Sequence, residues 1–156
     1  MTIGLIRPQS DEEWREAHRL IEEYASSLNL DLSFQNFAHE MAHLPEEYAP
    51  PVGTFLLARE DGLSVGCVGV RRFDDAVGEI KRLYVIPAAR KRGVGRLLAE
   101  GIVDAARQLK YTRLLLDTIP SMKEAQALYL SLGFKPTEAY RFNPVPGTAF
   151  LQLELR

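Results

Sequence analysis

The stretch Glu79-Ile-Lys-Arg-Leu-Tyr-Val-Ile-Pro-Ala-Ala-Arg-Lys-Arg-Gly-Val-Gly-Arg96 decides how this chain is read. It begins as a strand, Pro87 stops that strand, and past Arg90 the apolar residues recur at helical spacing. Between strand and helix lies a basic turn carrying Gly93 and Gly95. Glycines let a ligand approach the backbone, successive N–H groups can converge on oxygen atoms, and a helix start adds the positive end of its dipole. Arg90, Lys91, Arg92 and Arg96 surround that point with cations suited to a polyanionic ligand group. A solvated basic loop leading into a helix has the same composition, so charges and glycines alone leave both readings open. Two other phosphate sites are excluded. No Gly-x-x-x-x-Gly-Lys-Ser/Thr string exists, and a dinucleotide fingerprint would need glycine where Leu98 stands.

Working outward, the hydrophobic period switches repeatedly between two and 3.6, without repeats, low-complexity tracts or a Gly/Ser/Pro-rich linker, which predicts one mixed α/β domain over residues 1–156. A strand is expected over residues 3–7. Ser10 and Glu13 then form a capping box for a helix with the inner stripe Trp14, Ala17, Ile21, Tyr24, Ala25 and Leu28. A shorter helix carries Phe34, Phe37, Met41 and Leu44, and Pro45 ends it. Residues 54–59, 64–72 and 77–86 read as an antiparallel meander with turns at Asp61-Gly62 and Asp74-Asp75. Val94, Leu98, Ile102, Ala105 and Leu109 stripe a long helix, followed by a buried strand over residues 113–117. A strand, crossover helix and strand imply that the strands ending at Ile86 and Asp117 are parallel neighbours. Ser121 with Glu124 predicts a second capping box, with Met122, Ala125, Leu128 and Leu132 inward and Gly133 as C-cap. Strands over residues 136–140 and 148–154 close the chain.

Composition narrows the partners. At 156 residues and 46% hydrophobic the chain can bury a proper core, and the lone Cys67 cannot form an internal bridge. Nineteen Lys and Arg against twenty-one Asp and Glu give a net charge of −2, which argues against nucleic acid as a partner and confines any anion site to a local patch. No apolar run approaches membrane-spanning length and the N-terminal residues do not read as a signal peptide, so a cytoplasmic protein without membrane association is expected.

Arg90-x-x-Gly93-x-Gly95, preceded by Leu83-Tyr84-Val85 and Pro87, resembles the acyl-CoA-binding signature of the GNAT superfamily of N-acetyltransferases. Downstream, Ala125-x-x-Leu128-Tyr129-x-x-x-Gly133-Phe134 resembles the family's second signature. The resemblance covers most of the chain after residue 54. It implies a mixed, mostly antiparallel sheet of six to seven strands, helices on both faces and a central parallel pair splayed apart after Val85 and Asp117. It implies acetyl-CoA as cofactor, the turn of Arg90, Lys91, Arg92, Gly93, Val94, Gly95 and Arg96 for its pyrophosphate, and the backbone at Leu83, Tyr84 and Val85 for its pantetheine arm. The reaction implied is direct acetyl transfer to a primary amine of a small molecule or peptide, and homodimers are common in the family. Glu79 matches a position where some members keep a general base, and by strand parity it should face the side that Leu83 and Val85 face. Its alternative is a solvent-facing carboxylate. Tyr129 matches the tyrosine commonly used as general acid at the departing thiolate, a core aromatic being the alternative. One departure is Met122, where the family often has an Asn that contacts pantetheine; Ser121 or Thr118 are the candidate replacements.

Two other classes were weighed against the transferase. An acyl-CoA-binding sensor or interaction module would keep the turn without turnover. His39-Glu40-Met41-Ala42-His43 matches the zinc-hydrolase string H-E-x-x-H, but the helix is short and the third histidine is His18, so no metal site is expected. Cys67 reads as a packed thiol and Trp14 as core. Arg71, Arg72 and Arg82 are candidates to attract an acidic acceptor, and Tyr140, Phe142 and Asn143 to line the acceptor cleft.

Overall fold

A computed structural model describes residues 2–28 and 36–155. Phe34 lies outside them. Among the described residues a seven-stranded sheet runs in the order β1-β2-β3-β4-β5-β7-β6: β1 (Ile3–Ile6), β2 (Thr54–Glu60), β3 (Leu63–Asp74), β4 (Val77–Val85), β5 (Arg113–Thr118), β6 (Lys135–Pro136) and β7 (Ala149–Glu154). Every pairing is antiparallel except β4 with β5. Both faces of the central strands are apolar, so helices cover both. Leu56, Ala58, Val68 and Val70 face α4 (Val94–Gln108) and α5 (Lys123–Ser131). Phe55, Leu57 and Cys67 face α1 (Asp11–Leu28) and α3 (Leu44–Glu47), through Ala17, Leu20, Ile21 and Leu44.

Local signals acted as read in some places and not in others. The Ser10 hydroxyl accepts from the Glu13 N–H at 3.1 Å, and a Glu13 carboxylate oxygen accepts from the Ser10 N–H at 3.3 Å, which completes the first capping box. At α5 the second box does not form: the N-cap is Met122, and it makes no side-chain capping bond. Pro45 does not end a helix. It sits in the first turn of α3, where its missing N–H costs nothing, while α2 (Phe37–Ala42) stops just before it. β6 covers only Lys135–Pro136 rather than residues 136–140.

Two irregularities in β4 shape the centre of the molecule. Cys67 pairs with Tyr84 and Gly69 with Lys81, so β4 carries one extra residue there, and Arg82 takes a left-handed φ of 66°. This bulge resets the alternation. Ile80 joins the α4 core, Tyr84 joins the α1 core, and Leu83 and Val85 pack on the α4 side. Glu79 therefore does not share a face with Leu83 and Val85 as uninterrupted parity predicts. The second irregularity is where the parallel pairing stops, at Glu79 opposite Leu115. The strands separate six residues of β4 earlier than the expected splay after Val85.

A buried ion pair clamps the bulge. Glu40 of α2 accepts from Arg82 Nη2 at 2.6 Å and Nε at 3.0 Å, and from the Tyr48 hydroxyl at 2.8 Å. Burial disfavours the Glu40 charge, yet Arg82, with Arg71 behind it, outweighs that and holds its carboxyl below the ordinary value. The stabilisation this linkage supplies is complete above the ordinary carboxylate pKa and is lost as the pH falls through the lowered one. Replacing Glu40 with alanine should lower unfolding free energy by about 3–5 kcal/mol, because it strands the Arg82 charge. Urea titration at pH 7 measures this, and the gap to the parent should narrow in acid.

Candidate active site

Beyond β4 the chain turns through Pro87–Ala89, Lys91 takes φ 64°, and Gly93 caps α4 with φ 84°. That left-handed value is why glycine stands at 93. The first N–H groups of α4 have no partner within their own helix and point out of the turn. Here a cleft of about 620 Å³ opens between the end of β4, the turn, and the facing ends of α1 and α5. Leu83, Tyr84, Val85, Arg90, Lys91, Gly93, Val94, Gly95 and Arg96 all line it. Arg92 does not. Its guanidinium is turned back onto both carboxylate oxygens of Glu60. Arg90 donates to the Val85 carbonyl at 2.9 Å and lies over the Tyr84 ring, so one strand-end acceptor is already engaged.

The cleft continues into a small pocket of about 40 Å³ in the gap between β4 and β5, the two sharing Tyr24, Leu28, Leu83, Met122 and Ala125. Tyr129, Lys81, Asp117, Thr118 and Asn143 border this gap. Tyr129 is 4% exposed and packs edge-on against Phe134. Burial pushes its phenol well above the ordinary value, which keeps the proton on the oxygen. Asn143 donates to Asp117 at 3.1 Å. Thr118 Oγ1 is buried without a hydrogen-bond partner among the described residues, so the gap offers an unused hydroxyl where Met122 offers none. A cleft with cations at the turn and an unused hydroxyl in the gap that continues it fits an extended, phosphate-bearing ligand.

Glu79 does not border this gap itself, but Lys81, which does, stands beside it. Glu79 is 1% exposed, accepting from the Tyr140 hydroxyl at 2.8 Å and from Arg141 Nη2 at 2.5 Å. Arg71 Nε and Lys81 Nζ stand 3.9 Å from its oxygens. Burial lowers the Lys81 pKa to about 8, only partly offset by Glu79. Glu79 also floors an open pocket of about 490 Å³ rimmed by Arg71, Arg72, Arg141 and Phe73. Tyr140 bonds Glu79 and Asn143 borders the β4–β5 gap, but neither lines this pocket, and Phe142 is 72% exposed. Arg82 is buried on Glu40 and unavailable to an acceptor. Lys81 and Arg141 went unremarked in sequence. Lys81 was readable as the polar residue two places from Glu79, on the same strand face before the bulge, but nothing in the string around Arg141 marks a contact 62 residues away.

His39 and His43 stack with ring centroids 4.4 Å apart, and His43 Nδ1 is 2.9 Å from the His39 carbonyl oxygen. Glu40 points inward onto Arg82, so it is not poised over the histidines. Among the described residues no three His, Cys, Asp or Glu side chains come together as a metal site. Cys67 is buried with its thiol near the Arg82 carbonyl, and burial pushes its pKa up. Trp14 packs on Phe55. No described helix is long and apolar enough to cross a membrane.

The sequence profile of the acetyltransferase (GNAT) family matches residues 14–134. An uncharacterized N-acetyltransferase of Schizosaccharomyces pombe is 40% identical over 87% of this chain and 85% of its own. A protein named IAA acetyltransferase from Azospirillum brasilense is 36% identical over 69% and 71%. Among solved structures, a GNAT-family acetyltransferase of Staphylococcus aureus superposes with a TM-score of 0.81 at 20% identity, covering 99% of this chain and 100% of that one. One from Elizabethkingia anophelis, with acetyl-CoA bound, gives 0.67 at 19% identity over 98% of each chain. The chain belongs to the GNAT family. As a member of a family that draws its acetyl group from acetyl-CoA, it is an acetyl-CoA-dependent N-acetyltransferase.

Two measurements probe this geometry. A Cβ at Gly95 would make only ordinary contacts, with Leu128 at 3.7 Å and Val85 at 3.9 Å, and an acidic residue suits a helix start. Gly95→Asp should therefore keep the fold but weaken coenzyme A binding roughly tenfold or more by calorimetry, through charge repulsion at the phosphates. For Lys81, the unfolded chain binds a proton between pH 8 and 10.5 that the folded chain has released, so stability rises with pH across that window. Lys81→Met should lack this rise. The difference between parent and variant unfolding free energies should change by about 3 kcal/mol from pH 8 to 10.5.

Proposed function

We propose that this enzyme acetylates a primary amine of a small molecule or peptide by direct transfer, with Glu79 as general base and Tyr129 as general acid. The observation that carries this reading is the closeness of the two pockets: Lys81 borders the gap together with Tyr129, and its Nζ stands 3.9 Å from Glu79, which lines the pocket beyond. Tyr129 borders the gap that continues the cofactor cleft, and Glu79 floors the pocket beyond it. An amine entering from one side and a thiolate leaving on the other each meet a proton-handling group.

Acetyl-CoA supplies a thioester carbonyl that a neutral amine can attack. The turn from Lys91 to Arg96 holds its pyrophosphate, with the Arg92 side chain remaining on Glu60. Backbone groups of Leu83 and Val85 pair with the pantetheine arm once Arg90 releases the Val85 carbonyl, Thr118 Oγ1 takes the contact that Met122 cannot make, and the Val85 N–H polarises the carbonyl. The attacking amine must first lose its proton, since an ammonium has no lone pair. Both Glu79 oxygens already accept hydrogen bonds, so Glu79 takes that proton through an intervening water. Tyr129, kept protonated by burial, donates to the thiolate. We further take the enzyme to be cytoplasmic, in keeping with its single buried, unpaired cysteine.

Steady-state kinetics with thiol detection test the roles. Glu79→Gln and Tyr129→Phe should each lower kcat roughly 100-fold or more, with coenzyme A affinity close to that of the parent. Parental turnover in either variant removes that residue from the mechanism.

A further inference from the structure

The pocket floored by Glu79 has charges sorted in a way that selects a substrate, and we propose that the acceptor is a free α-amino acid with an apolar side chain, its carboxylate held by Arg71 and Arg141. This rests on the transferase reading above and names its substrate class. The pocket shares no lining residue with the cofactor cleft, so it is free to take the second substrate. Its wall carries Arg71 and Arg141 as well as Glu46, Glu47 and Glu79. Fixed charges of both signs within one pocket match a molecule that itself carries one charge of each sign.

The two arginines are fixed in advance. Arg71 is braced by Glu47 at 3.0 Å and Glu40 at 3.7 Å, and Arg141 by Glu79 at 2.5 Å. Arg72 is committed to Asp75 on the exposed hairpin and is left out of the assignment. Arg141 donates from Nη2 to Glu79 yet keeps 23% of its side chain exposed on the pocket wall, so guanidinium N–H groups beyond that bond face the opening. A carboxylate is the group whose charge and acceptors match them. With the carboxylate there, the α-amine lies toward Glu79 and the gap, where the general base and the acetyl group are. Phe73 and Val52, each 40% exposed, are large apolar side chains on the rim and give the substrate's side chain an apolar seat.

The test compares L-phenylalanine with L-phenylalaninamide and 2-phenylethylamine, by thiol release from acetyl-CoA and by calorimetric binding to the coenzyme A-saturated protein. L-Phenylalanine should bind, and its kcat/KM should exceed that of the amide at least 30-fold although the amide's amine loses its proton more readily. Arg141→Lys, which keeps the charge and removes the fork, should reduce that ratio at least tenfold. Equal or better use of the amide or of 2-phenylethylamine overturns the carboxylate assignment while leaving the transferase intact. So does an absence of calorimetric binding by L-phenylalanine. Binding of L-phenylalanine without thiol release from any amine would instead count against the proposed roles of Glu79 and Tyr129.

Discussion

The architecture turns on the Arg82–Glu40 ion pair. A β4 residue other than glycine with φ of 66° is unfavourable on its own, and a carboxylate as deeply buried as Glu40 is costly without a partner. Each offsets the other's penalty. With Arg82 drawn toward α2, β4 gains its extra residue, and the faces of the strand exchange between Lys81 and Leu83. Glu79 is thereby left on the side of the arginine pocket, while Leu83 and Val85 line the cofactor cleft. A straight β4 would have put Glu79 on the face of Leu83 and Val85, where a single ligand would meet all three.

The same pair explains why the H-E-x-x-H string is a structural element. Its glutamate faces the sheet and its histidines stack outside, an orientation set by the ion pair and by the Tyr48 hydroxyl rather than by a metal. α2 and α3 are too short to be stable alone. Their position comes from this anchor and from Leu44 and Tyr48 in the α1-side core.

Much of this was legible in the amino-acid string because the signals are local. The turn with Gly93, the first capping box and the meander each depend on residues close in sequence, and each appears where the spacing put it. The parallel pair followed from the handedness and length of the crossover. What escaped reading depends on distant partners. The bulge has no marker of its own, since Arg82 looks like any polar strand residue until Glu40, 42 positions earlier, is seen to bind it. Strand parity is reliable only while the register is unbroken, which is why the amino-acid pattern puts Glu79 on the face of Leu83 and the folded strand does not. Ser121 offered a cap, but the chain turned into α5 one residue later. Arg92 belonged by composition to the phosphate cluster, and only the approach of β2 diverted it to Glu60.

The gap between β4 and β5 lies between two entrances that have no lining residue in common. Neither opening has to be vacated for the other to fill. On the proposed assignment of donor to one and acceptor to the other, such a layout imposes no sequence of addition. The two sides meet at Glu79 and Lys81, 3.9 Å apart, one lining each.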